Sequence, residues 1–407
     1  MTRVAPPAWV SGCGVVSPLG NDIDAFDAAL FAGCSAVRAE AIELPGNGRF
    51  EVPLARSAFD AARVAAPSKL PLDRGSAMAL AAAEAAVAMA GLAPGGFDPE
   101  RAGLYWGSGM GGAATFEANC QAIWAEQRRL RPSAVVTSMP NAPLAEVALR
   151  LGTRGTAIGY ACACASAAVA IGEALRALQA GALDLAIVGG SEALLTPAVV
   201  GAWHAMRVLG PARSDACRPF AADRAGFALG EGAAAFVIET EAHARARGAA
   251  TPWRLAGYAT SCDATHVTQP DADGQVRAMR AALRSAGLQP QDIGHVNAHG
   301  TGTLAGDQAE ANSLQRVFGA TPPAVTASKA ISGHLLGAGG AVELLALLRA
   351  LQQRSAPPTA HVADDDPALG IDLVRGSARA LPALRHAMSN SFAFGGTNAV
   401  LIASLAP

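Results

Sequence analysis

Short apolar runs alternate with alanine-rich helical stretches along most of this chain. "AWVSGCGVV" opens as a strand and is stopped by Pro18 and Gly20, after which a helix is predicted from about Asp22 to Ala32. The stretch 74–91, "RGSAMALAAAEAAVAMAG", carries no charge between Arg74 and Glu84 and is expected as a buried helix closed by Gly91. A turn at "LAPGG", a strand at "GLYW" and a glycine-rich loop at "GSGMGG" follow. Residues 164–180 read as a second buried helix, ended by Gly181. "LAIVGGSEALL", but for Ser191 and Glu192, and "AAAFVIE", but for its final Glu239, are continuously apolar, the pattern of strands covered on both faces. Such alternation of helices and short apolar strands predicts a layered α/β architecture.

The pattern also repeats. Residues 276–303, "VRAMRAALRSAGLQPQDIGHVNAHGTGT", follow the order of 77–112: alanine-rich helix, "AGL", a proline, an aspartate, a strand, a glycine-bearing loop. "SGHLLGAGGAVELLALLRALQ" likewise resembles the helix after Cys164. Two related α/β halves are therefore expected, 1–250 and 251–407, joined near the polar stretch "ARARGAATPW". In α/β folds, sites form at the C-terminal ends of strands, where loops from both halves converge.

Composition adds bounds rather than detail. The 407 residues are 51% hydrophobic with a net charge of −2, which suits a large core and gives no general attraction to nucleic acid or membranes. Seven cysteines, odd in number and without framework spacing, predict a reducing, cytoplasmic setting. Pro6, Pro7 and Gly12 break the N-terminal apolar stretch, so no secretory leader is expected, and no uninterrupted run is long enough for a membrane span.

Four stretches carry candidate chemistry. In "YACACASAAVAIG", Cys164 stands where a helix begins. The positive end of the helix and its free N–H groups are expected to lower the thiol pKa and to face an oxyanion, although a buried structural cysteine fits the same pattern. No further Cys or His lies nearby to complete a Cys-x-Cys metal site. In "VNAHGTGTLAGDQAE", a strand delivers His299 to a loop of glycines with Thr301 and Thr303, whose hydroxyls suit a polar chain. In "TASKAISGHLLGAGGAVE", His334 precedes another buried helix, which disfavours its protonated form, and a buried Lys329 would need a partner, for which Glu310 is a candidate. In "SNSFAFGGTN", Phe394 beside Gly395 and Gly396 reads either as a movable gate or as core.

Together with "VSGCGVVSPLG", "GSGMGG", "PFAADRAGFALGEGAA" and "DATHVTQPDADG", these stretches make the chain resemble the β-ketoacyl-[acyl-carrier-protein] synthases over nearly its whole length, the KAS II type above all. The resemblance implies a thiolase-like fold of two α/β halves packed as αβαβα layers. It implies decarboxylating condensation of an acyl group, held on Cys164, with a malonyl thioester. The pathway would be fatty-acid elongation or, as an alternative, a polyketide or aryl-polyene route. Chain-length-factor subunits share the fold but usually lack the nucleophile. Cys164 rather than Cys162 matches the family's nucleophile, eight residues before Gly172.

By the same carry-over His299 and His334 would be the two catalytic histidines, Lys329 and Glu310 supporting polar residues, and Phe394 the gate. Backbone N–H groups of Cys164 and Phe394 would hold the oxyanion. Thr268, Thr301 and Thr303 match pantetheine-binding positions, and Met110, Trp203 and Ala134 pocket positions. Ser133 and Ala134 are smaller than the family's usual residues there, from which a deeper acyl tunnel is expected. Ala225 and Ala393 also depart from common usage, the latter stiffening the gate. No metal or resident cofactor is implied, because the phosphopantetheine arm arrives on an acyl carrier protein. That acidic partner is expected to meet Lys69, Arg74, Arg128, Arg129, Arg131 and Arg207. A homodimer, or a heterodimer with a chain-length-factor-like subunit, is expected.

Overall fold

In a computed structural model, residues 5–93 and 96–406 are described; the turn expected around Pro94 and Gly95 falls partly outside them. Ten strands form the main sheet: β1 (Ala8–Val16), β2 (Ala102–Gly107), β3 (Ala157–Tyr160), β4 (Leu185–Glu192), β5 (Gly232–Glu239), β6 (Trp253–Cys262), β7 (Ile293–Asn297), β8 (Ala324–Thr326), β9 (His386–Phe392) and β10 (Thr397–Leu405). Their spatial order is β8-β7-β9-β10-β6-β1-β5-β4-β2-β3. From the centre outward the first five strands run 1-5-4-2-3 and the second five run 6-10-9-7-8, the same path taken twice. Only Ala8 opposite Leu255 and Trp9 opposite Arg254 join the two fives, so each is a sheet in its own right.

The helices repeat in step. α1 (Arg74–Met89), α2 (Ala142–Leu151) and α3 (Ser166–Gln179) belong to the first path; α4 (Ala272–Ala286), α5 (Leu304–Phe318) and α6 (Gly339–Gln353) belong to the second. α1 packs on β1, β5 and β4, and α4 packs on β6 and β10, which makes them outer layers. α3 and α6 touch each other and strands of both fives, which makes them the inner layer. The architecture is therefore the αβαβα sandwich of the thiolase-like fold. α3 and α6 are almost wholly apolar because both their faces are covered.

Small residues make this closeness possible. A Cβ on Gly340 would lie 2.9 Å from the Cβ and N of Ala168 on the neighbouring inner helix, and one on Gly107 would lie 2.3 Å from the Ala167 nitrogen. Alanine and glycine abundance is thus a packing requirement of the central layer. A small sheet of Arg38–Leu44, Gly48–Ala55 and Leu229–Gly230 closes one side. With Phe227 and Trp203 it walls an apolar cluster that contains both Cys164 and Leu336.

Candidate active site

Both inner helices are entered through a 3-10 turn, Ala163–Ala165 before α3 and Leu336–Ala338 before α6. Each turn starts from a non-glycine residue in the left-handed region, Ala163 and Leu336, both at φ 47°. Non-glycine residues pay a steric cost there, and such strain gathers at functional sites. The first turn presents Cys164, 8% exposed, at the head of α3. The second follows His334, whose backbone is pinned by His334 N donating to the Ala228 carbonyl at 2.7 Å and Gly230 N donating back at 2.9 Å. His299 stands in the loop after β7, at the C-terminal end of a parallel strand.

The two ring planes meet edge to face, centroids 5.5 Å apart, and His334 Nε2 lies 3.0 Å from Cys164 Sγ. The thiol sulfur and a nitrogen from each ring all lie within 4.8 Å of one another. What touches the outer nitrogens decides the tautomers. The Leu336 N–H donates to His334 Nδ1 at 3.3 Å, and the Lys329 ammonium donates to His299 Nδ1 at 3.3 Å. A nitrogen that accepts cannot carry the proton, so each neutral ring bears it on Nε2, which in His334 faces the sulfur.

Burial, then the Lys329 charge, push both rings well below the ordinary imidazole range, and for His299 the His334 ring adds to this. A depressed pKa means that the neutral form persists at and above the usual value near 6.5. Nitrogen-15 NMR of the histidines is therefore expected to find both rings as neutral Nε2–H tautomers, with shifts that stay constant from pH 6 to 8. A titrating ring in that window would contradict the assignment.

The same outer contacts bear on metal binding. A Cys-His-His trio has the composition of a zinc site, but ligating histidines donate their other N–H to an acceptor. Here both outer nitrogens face donors, so the donor set does not fit a metal ion.

The thiol itself departs from the sequence expectation of a lowered pKa. Burial pushes Cys164 up to about 11, against the opposing pull of the Lys329 charge and the Phe394 N–H. Lack of solvation for a thiolate outweighs the donors, and the resting sulfur is a thiol. The expected partner of Lys329 also changes. Lys329 bonds Glu343 from α6 and the His299 carbonyl, the latter at 2.5 Å. Glu310 accepts instead from the N–H groups of His299 at 2.9 Å and Gly300 at 2.8 Å, and from Asn390 Nδ2 at 3.0 Å. A carboxylate on α5 lies under the loop backbone and is used up there, whereas α6 brings Glu343 beside the ammonium. Glu343 was detectable in principle as the one charge inside "GGAVELLALL".

One cavity of about 280 Å3 is lined by Cys164, Trp203, Thr268, His299, Thr301, Thr303, Glu310, His334 and Phe394. Phe394 stacks on Trp203 at 6.0 Å, and Trp203 meets Phe227 edge to face. Thr303 is partly committed, since its hydroxyl also caps α5 by accepting from Gly306 N at 3.2 Å. Met110 and Ala134 are absent from this lining, contrary to expectation. Met110 is exposed and Ala134 half-buried, on the first-half face that also carries exposed Val135 and Val136. Met206 and Val208 line the cavity beside Trp203.

Among the expected carrier contacts, Arg207 is exposed and follows Met206 at the cavity mouth, and Lys69, Arg129 and Arg131 are exposed elsewhere. Arg128 pairs with Glu126. Arg74, contrary to expectation, spends its guanidinium on Glu231 and on the carbonyls of Ser57 and Phe59, so it braces the fold.

A thiolase-like fold with a buried thiol facing two neutral imidazole donors defines a condensing enzyme. The chain belongs to the beta-ketoacyl synthase family: the family's N-terminal domain matches residues 6–244 and its C-terminal domain residues 254–363. It is 35% identical over 403 residues to 3-oxoacyl-[acyl-carrier-protein] synthase 2 of Staphylococcus aureus (strain N315), covering 97% of each. It is 41% identical over 333 residues to Nodulation protein E of Rhizobium sp. (strain N33), 81% of this chain and 82% of that one. A solved structure titled the ishigamide ketosynthase/chain length factor superposes with a TM-score of 0.90 at 31% identity, over 99% of this chain and all of that one.

Proposed function

We propose that the chain condenses an acyl group carried on Cys164 with a malonyl thioester on an acyl carrier protein. The convergence of Cys164 with the Nε2–H groups of His299 and His334 carries this reading. In the first half-reaction the sulfur attacks the incoming thioester. A C–S bond forms to Cys164, the carrier's C–S bond breaks, and the thiol proton ends on the departing carrier sulfur. The N–H groups of Cys164 and Phe394 are read as the donors to the oxyanion, and the Phe394 N–H already favours negative charge on the sulfur.

In the second half-reaction the malonyl C–C bond breaks, releasing CO2 and leaving an enolate. The two Nε2–H groups donate to its oxygen, where charge develops, so neither ring serves as a base. The enolate carbon attacks acyl-Cys164, and the freed thiolate takes up one proton. Lys329 keeps its position behind His299 and holds the tautomer rather than meeting substrate. The pantetheine arm is read as entering beside Thr268, Thr301 and Thr303, with no cofactor resident in the chain.

Likeness to both 3-oxoacyl-[acyl-carrier-protein] synthase 2 and a ketosynthase/chain length factor supports two pathways for one chemistry, chain elongation or a specialised polyketide-type route. A second chain of the same fold, a copy or a chain-length-factor-like subunit, is proposed on the face bearing Phe116, Trp124, Val135, Val136 and Ile158. These are large exposed apolar side chains beside the free edge of β3. No helix among the described residues is long and apolar enough to cross a membrane, and the seven cysteines are free, which supports a cytoplasmic setting.

Mass-detected condensation with malonyl carrier and acyl carriers of graded length and unsaturation tests the reading. The expected result is an acyl adduct on Cys164 and a β-ketoacyl product two carbons longer. A protein that forms no adduct with any carrier and releases no CO2 from malonyl carrier would overturn it.

A further inference from the structure

The molecule contains a further buried carboxylate with an unusual set of partners. Glu192, the last residue of β4, is fully buried and has no cationic partner within salt-bridge distance among the described residues. Instead it accepts from Gly109 N at 2.6 Å, Gly337 N at 3.0 Å, Ser108 Oγ at 3.1 Å and Met110 N at 3.3 Å. Three are backbone donors, drawn from two loops that belong to different halves of the fold. The loops meet so closely that a Cβ on Gly337 would lie 2.2 Å from Gly109 N and 2.4 Å from Glu192 Oε2. Burial pushes this carboxyl up to about 7 while the four donors favour its charged form.

Gly337 lies in the strained turn whose Leu336 N–H fixes His334 Nδ1. We infer that Glu192 is a positioning residue for His334: it grips the turn behind the ring and ties that turn to the loop carrying Met110. Without the carboxylate, Gly337 N and Gly109 N would be buried donors facing each other with no shared acceptor. The turn would then relax from its left-handed start, and Leu336 N–H would release Nδ1. Met110 belongs to the exposed apolar face, so the clamp also runs from the proposed subunit contact to the ring.

The inference rests on the reading of His334 as an enolate donor, and the two fail separately. Glu192→Gln keeps the shape but turns an amide NH2 toward backbone N–H groups. Decarboxylation of malonyl carrier is expected to fall about tenfold or more, with kcat rather than KM affected. Acyl adduct formation on Cys164, which uses backbone donors, is expected to stay within about threefold. Nitrogen-15 NMR should show His334 leaving the pure Nε2–H tautomer.

If Glu192→Gln does not fold, Glu192→Asp, which keeps the charge but shortens the reach, is measured the same way with the same split expected. Unchanged decarboxylation with the tautomer intact overturns the inference. So does a parallel loss of both half-reactions with the tautomer intact, which would make Glu192 a brace of the fold only. Full decarboxylation in His334→Ala would instead sink the underlying reading of the ring.

Discussion

Cys164→Ala is expected to abolish acyl transfer, lowering condensation about ten-thousandfold or more, because Cys164 is the thiol that lies against the two imidazoles. The substitution removes one sulfur from a site that is 8% exposed, so the fold should persist. Cys162→Ala is the matched control. Cys162 lies two residues away and half-buried, its N–H donates to Ser166 Oγ at 2.8 Å, and its side chain only packs against the core. It should retain activity. Intact-protein mass spectra after exposure to acyl carrier read both outcomes; an adduct that survives Cys164→Ala and disappears in Cys162→Ala would reverse the assignment. The sulfur's position, inside a ring of groups that stabilise the charges it creates, is the basis of the whole mechanism. Its resting acidity is not, since burial keeps it a thiol.

Lys329→Ala should be the most destabilising single change near the site. Lys329 and Glu343 are both buried, and removing one leaves the other charge, or a forced protonation, in an apolar helix layer. Breaking such a pair costs about 3–5 kcal/mol. Activity should fall as well, since the Nδ1 of His299 loses its donor and its tautomer is free to invert. The double variant Lys329→Met with Glu343→Leu separates the two effects. Replacing a buried pair by apolar groups of similar volume is often neutral for stability. Thermal unfolding should therefore return toward the native value while condensation stays low. Recovery of both would show that the pair serves stability alone.

Much of this was legible along the chain. The first inner helix announced itself by an apolar stretch closed by Gly181 and the second by its likeness to it, and the doubled order of helix, strand and loop ran through both halves. Both arise from local pattern: an element covered on both faces must be apolar, and a glycine-bearing loop must follow a strand that delivers a side chain to a site. The resemblance carried by the motifs placed Cys164, His299, His334 and Phe394, and the structure brings these four together around one cavity.

Contacts between distant segments were not legible. Lys329 was matched with Glu310, yet its partner is Glu343, because only the packing of α6 decides which carboxylate reaches the ammonium. Arg74 looked like a surface cation until Glu231 lay beside it. Met110 and Ala134 lie away from the cavity they were expected to line, and Glu192 gave no sign of reaching Gly337, 145 positions away. The sequence by itself determined the layered α/β class and the order of its elements, since periodicity and turn chemistry act between near neighbours. Tertiary structure alone decided the charge pairs, the tautomers and which side chains line the cavity. Each of these depends on desolvation and on distances of a few ångströms between residues far apart in the chain, which no local pattern records.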